Sequence, residues 1–145
     1  MVIKQEFTFP SSDGVHTVAA AWWRPEGPPR GIVHLVHGIS EHIGRYDETA
    51  RFLAEHGFLV CGEDHLGHGN TVQDAATAPL PPRTGGAGSG RHRPTAPHPG
   101  GEASGRPLLP PGPLHGSFLT RTYLIDYPGT VDGAILSGTG QEPAP

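Results

Sequence analysis

Between Pro79 and Gly116 the chain places ten prolines and nine glycines in 38 residues, with no aromatic residue and one acid, Glu102. Proline removes a backbone donor and glycine raises the entropy cost of ordering, so this block suits neither a helix interior nor a sheet interior. Glycine (22) and proline (17) exceed a quarter of the 145 residues, the range of about 25–30% where low complexity sets in. The excess belongs to the block alone. The chain therefore reads as an ordinary segment 1–78, an irregular or disordered segment 79–116 and an ordinary segment 117–145, together about one domain in length.

A net charge of −4 gives no electrostatic case for nucleic acid or an anionic membrane surface. The single cysteine, Cys61, excludes an internal disulfide framework and fits a reducing compartment. No apolar run reaches the roughly 18 residues that span a bilayer, and the start lacks a basic-then-apolar leader. The expectation is a soluble, cytoplasmic chain without stable membrane insertion.

Residues 3–9 alternate and stop at Pro10, Ser11–Gly14 reads as a turn, and Val15–Pro25 reads as a second strand, so the two predict an antiparallel hairpin. Gly31–Val36 is a short apolar run, the pattern of a strand buried on both faces of a parallel sheet. A helix follows over about Arg45–His56, with Tyr46, Ala50, Leu53 and Ala54 on one face, acids Asp47 and Glu48 in its first turn, and Gly57 as its C-terminal cap. Phe58–Asp64 gives another buried strand. After the block, Ser117 is placed to cap a helix to about Tyr127, with Leu119 and Tyr123 on one face and Pro128 as its stop. Val131–Gly138 reads as a further strand with no helix after it to cover it. The order predicts an α/β chain: an antiparallel hairpin leading into a mostly parallel sheet flanked by helices, and incomplete.

Two motifs follow the two buried strands: "HGISEHIGRY", His37–Tyr46, and "EDHLGHG", Glu63–Gly69. In order and at this spacing they resemble the α/β-hydrolase superfamily, in its monoacylglycerol lipase and lysophospholipase branch. The likeness covers residues 1–75 and resumes over 117–140 at the nucleophile helix and "DGAILSGTG". It implies an N-terminal part of an α/β-hydrolase fold and a serine ester hydrolase acting on a small acyl ester, an acylglycerol or lysophospholipid, without a cofactor. It also implies that Ile39 supplies one backbone N–H of the oxyanion hole, with Gly38 letting the backbone turn close to the substrate. His37 is then a loop-fixing residue rather than the base. Glu41, His42, Arg45, Asp64, His65, Gly67, His68 and Gly69 support the loops.

Such an enzyme needs Gly-x-Ser-x-Gly at a strand-to-helix turn, and the sequence has none in that context. "GAGSG" at Gly86–Gly90 follows no strand and precedes no helix. The nucleophile serine is expected between Gly112 and Ser117, where the chain instead reads "GPLHG". Written GGG-CCA-CTC-CAT-GGC, those codons contain, one base on, GGC-CAC-TCC-ATG, which is Gly-His-Ser-Met. Segment 79–116 is thus read as out of frame, against the rival of a genuine linker. The chain as written is expected to lack the central strand, to leave its neighbours unpaired, to fold poorly and to turn over no ester.

Two other classes stay open. One is a non-catalytic binding protein on the same fold. The other is a metal-dependent hydrolase using His34, His37, Asp64, His65 and His68, although on a strand His34 and His37 would face opposite sides. Ser40 has no adjacent base, and Cys61 reads as a buried small side chain. No metal site is assigned.

Overall fold

The computed structural model describes residues 1–11, 14–71, 108–109 and 115–138. The expected nucleophile turn and nearly all of the proline-glycine block, with its frame-slip reading, lie outside the described residues.

The hairpin is formed by β1 (Ile3–Pro10) and β2 (Thr17–Arg24), antiparallel, with Ile3 opposite Arg24 and Pro10 opposite Thr17. Gly14 carries the turn with φ +72°. β3 (Gly31–Leu35) and β4 (Phe58–Glu63) pair in parallel, and β2 joins β4 antiparallel. Beyond β3 lie β5 (Leu108–Leu109) and β6 (Gly133–Ala134), both parallel to it, so the sheet runs β1-β2-β4-β3-β5-β6.

Alternation along the strands divides the core in two. On one face Ala21, Trp23, Val33, Leu35 and Val60 pack with Ile43 and with Ala50 and Ala54 of helix α1 (Asp47–Glu55); on the other, Ile32, Leu59 and Cys61 pack with Trp22. Each fully buried large apolar side chain here contributes roughly 1.5–3 kcal/mol. Tyr46 and Leu53 pack against the first cluster, so the four residues expected on one helix face share it.

A 3-10 turn over Ile43–Tyr46 leads into α1, and Asp47 holds its start. The Asp47 carboxylate accepts the indole N–H of fully buried Trp23 at 2.8 Å and pairs with Arg51 at 2.6 Å. Gly57 ends the helix at φ +90°, its N–H on the Ala54 carbonyl and its own carbonyl taking the Arg30 N–H.

Four differences from the sequence expectation have physical causes. The place of the central strand is not empty, because Leu108–Leu109 fill it by pairing with Val33 on one side and with Gly133 and Ala134 on the other. The expectation of unpaired neighbours is corrected to a two-residue strand. Helix α2 spans His115–Asp126, so Ser117 is no cap but a fully buried residue of its first turn. Leu119 and Tyr123, expected on one face, are half-buried, while the buried residues include Gly116, Ser117 and Thr120; close approach to the Val36 and His37 carbonyls selects small side chains at the start of the helix. Finally, Val131–Gly138 yields only Gly133–Ala134 as strand, since the short β5 offers no longer partner.

Candidate active site

β3 and β4 run side by side in parallel, so the loop after one and the turn after the other emerge at the same sheet edge, where open α/β sheets bind ligands. The two motifs meet there. Because β3 ends at Leu35, His37 is placed by the loop and not by strand pleating.

His37 is fully buried and stitches the two segments together. Its Nδ1 lies 2.7 Å from the Gly38 carbonyl, and its Nε2 takes the backbone N–H of His65 at 2.9 Å. A carbonyl only accepts and an N–H only donates, so the ring is the neutral Nδ1–H tautomer. Burial pushes the His37 pKa down, against the Gly38 bond that raises it. The His65 ring donates from Nε2 to the His37 carbonyl at 3.1 Å, and burial with the neighbouring His37 takes its pKa down to about 3.

The loop is braced from within by Glu41. Its Oε2 accepts the Gly38 N–H at 3.0 Å and the Tyr46 hydroxyl at 2.7 Å, and Arg45 lies 3.5 Å from its Oε1. Burial works against the charge, yet these donors outweigh it and hold the carboxyl below its usual range. Burial and the carboxylate together raise the Tyr46 pKa. His42 is exposed and its side chain caps nothing, but its carbonyl accepts the Arg45 N–H at 3.1 Å at the start of the 3-10 turn.

Asp64 fixes the second turn. Its carboxylate accepts the N–H of Ile43 at 2.6 Å and of Asn70 at 2.8 Å while buried. Gly69, at φ +48°, lies so close to that carboxylate that a Cβ could not fit, and Gly67 also takes a left-handed backbone. His68 donates from Nε2 to the Ile39 carbonyl at 2.6 Å.

The consequence is a sorted set of backbone donors. The Gly38 N–H is taken by Glu41 and the Glu41 N–H by the Gly38 carbonyl, whereas among the described residues the Ile39 N–H has no partner. Ile39 is 40% exposed. Gly38 is therefore no donor itself; it turns the chain between His37 and Ile39. The first turn of α2 lies directly on this loop, because a Cβ on Gly116 would stand 2.7 Å from the His37 carbonyl oxygen and 2.8 Å from that of Val36.

Three partners escaped the sequence reading. Tyr46 had been placed only as a core residue. Thr71 is buried, donates to the Asp64 carbonyl and accepts the Ala19 N–H, tying the turn to β2. The His34 imidazole, 1% exposed, meets the Glu63 carboxylate at 2.7 Å. Only the last had a signal: in parallel register with His34 opposite Cys61, Glu63 lies two residues on and on the same face. Among the described residues no three of His, Cys, Asp and Glu come together as metal ligands; both His37 nitrogens already have partners.

Comparison with known proteins agrees with this geometry. Residues 27–83 match the family model for serine aminopeptidase S33. The monoacylglycerol lipase of Mycolicibacterium smegmatis is 41% identical over 68 residues, 47% of this chain and 24% of its own length. Human monoglyceride lipase is 44% identical over 50 residues, 34% and 16% respectively. The chain thus spans under a quarter of the length of either. A thermostable carboxyl esterase from Bacillus coagulans superposes with a TM-score of 0.67 at 26% identity, covering 92% of this chain and 43% of the esterase. With its sheet order, its paired His-Gly turns and these relatives in agreement, the chain has part of an α/β-hydrolase fold and is similar to the monoglyceride lipase-like branch.

Proposed function

We propose that the described residues form the oxyanion side of a serine ester hydrolase for acylglycerol or lysophospholipid substrates in the cytoplasm, and that the chain as written turns over no ester. The unpartnered Ile39 N–H, on the loop whose Val36 and His37 carbonyls lie against Gly116 of α2, carries the reading. In the intact enzyme a serine just before α2 attacks the acyl carbonyl, and a histidine moves its proton. The oxyanion then rests on the N–H of Ile39 and of His115, the first residue of α2. Such a donor is worth about 3–4 kcal/mol to the transition state. No cofactor takes part, and the ligand is a small ester rather than nucleic acid.

The sequence puts Leu114 where that serine belongs. This favours either a frame slip over residues 79–116, with 1–78 and 117–145 as parts of one hydrolase domain, or a non-catalytic binding protein on the same fold. Sequencing the gene separates them: a Gly-His-Ser-Met string one base out of frame supports the slip, and its absence rejects it. Turnover of a p-nitrophenyl ester above a no-enzyme control, or labelling of the chain by a fluorophosphonate, would refute the inactivity of the chain as written.

A further inference from the structure

We propose that His68 is a positioning residue for the Ile39 N–H, acting through the backbone from the turn after β4. A peptide N–H points opposite to the carbonyl of its own plane, so a backbone donor is aimed by whatever grips the carbonyls beside it. On the near side of Ile39 the Gly38 carbonyl is gripped by His37 Nδ1 at 2.7 Å and by the Glu41 N–H at 3.3 Å. On the far side the Ile39 carbonyl is gripped by His68 Nε2 at 2.6 Å. With both flanking peptide planes fixed, neither soft dihedral of Ile39 is left to drift. Its side chain, 40% exposed, forms no hydrogen bond that could take over this task.

The grip is rigid because His68 is itself held. Its N–H donates to the His65 carbonyl at 2.9 Å and its carbonyl takes the Thr71 N–H at 3.0 Å. Gly67 and Gly69 on either side take left-handed backbone, and Asp64 anchors the turn through the Asn70 N–H. A side chain 29 residues away thus sets a donor that the loop cannot set alone.

The inference rests on the oxyanion reading of Ile39, and one NMR experiment on the full isotope-labelled chain tells the two apart. Butyrate, a carboxylate of the product class, is titrated while the Ile39 amide is followed in wild type, His68→Ala and His68→Gln, the last keeping an N–H donor. The expected result is a shift of the Ile39 amide in wild type. Its dissociation constant should rise roughly two- to tenfold in His68→Ala, the scale of one lost hydrogen bond, and recover in His68→Gln. The Ile39 carbonyl carbon should move in His68→Ala and return in His68→Gln. An unchanged carbonyl and unchanged affinity in His68→Ala overturn the positioning role and leave the oxyanion reading standing. No Ile39 response in wild type overturns the oxyanion reading itself. Should His68→Ala fail to fold, the wild-type coupling between His68 Nε2 and the Ile39 carbonyl carbon decides, its absence overturning the role.

Discussion

Glu63 on β4 meets His34 on β3 at 2.7 Å, where the imidazole is 1% exposed and the carboxylate 17%. Burial alone would push the His34 pKa down, but the charge and hydrogen bond of Glu63 outweigh it and raise it. An imidazole with a folded pKa above its free value of about 6.5 holds its proton more tightly in the fold. Its contribution is whole below about pH 6.5 and fades as pH rises through the folded value. His37 and His65 behave oppositely: burial lowers both, so their contribution is present above about pH 6.5 and is lost as pH falls. Stability should therefore peak near pH 6.5. Urea unfolding across pH 5–9 checks this, and Glu63→Gln, which leaves burial alone acting on His34, should flatten the alkaline limb and steepen the acid one.

Gly116→Ala places a methyl 2.7 Å from the His37 carbonyl oxygen, a backbone atom that cannot swing aside. The expected cost is about 1–3 kcal/mol, seen as a lower urea midpoint. Faster amide exchange along α2 than along α1 should accompany it; uniform exchange would count against a local clash.

Tyr46→Phe removes the hydroxyl that Glu41 accepts at 2.7 Å and should cost about 1 kcal/mol. The Glu41 carboxylate also holds the Gly38 N–H, so the Gly38 amide resonance should move although residue 46 never touches it. A change confined to the immediate neighbours of Tyr46 would speak against the shared acceptor.

Asp47→Ala leaves the Trp23 indole N–H buried without its acceptor. About 1–3 kcal/mol should be lost, with a shift in tryptophan emission that Arg51→Ala, which removes only the ion pair at the helix start, does not reproduce.

What the sequence made legible was what short-range pattern controls. The α1 face, its acidic first turn and its Gly57 cap follow from helical period and left-handed backbone, and the structure has all three. The two His-Gly turns were legible because each is a motif in itself. The His34–Glu63 pair and the Thr71 bridge were not, because they depend on strand register and on contacts reaching 29 and 52 residues along the chain. The fully buried residues of α2 were not legible for a related reason. Periodicity marks apolar residues, whereas a helix pressed against backbone carbonyls needs small ones, and Gly116 and Ser117 supply them.

The brevity of β5 has a mechanical meaning. Among the described residues, Val33 opposite Leu108 is the strand register joining β5 to β3, and β5 in turn carries β6. Residues 1–71 hold both core clusters and the loop and turn residues that fix the Ile39 edge, independent of that seam. The seam is thus a fault line: under denaturant or protease the α2–β6 portion should open first as its own cooperative unit, uncovering the Ile39 edge while the hairpin, β3, β4 and α1 stay folded.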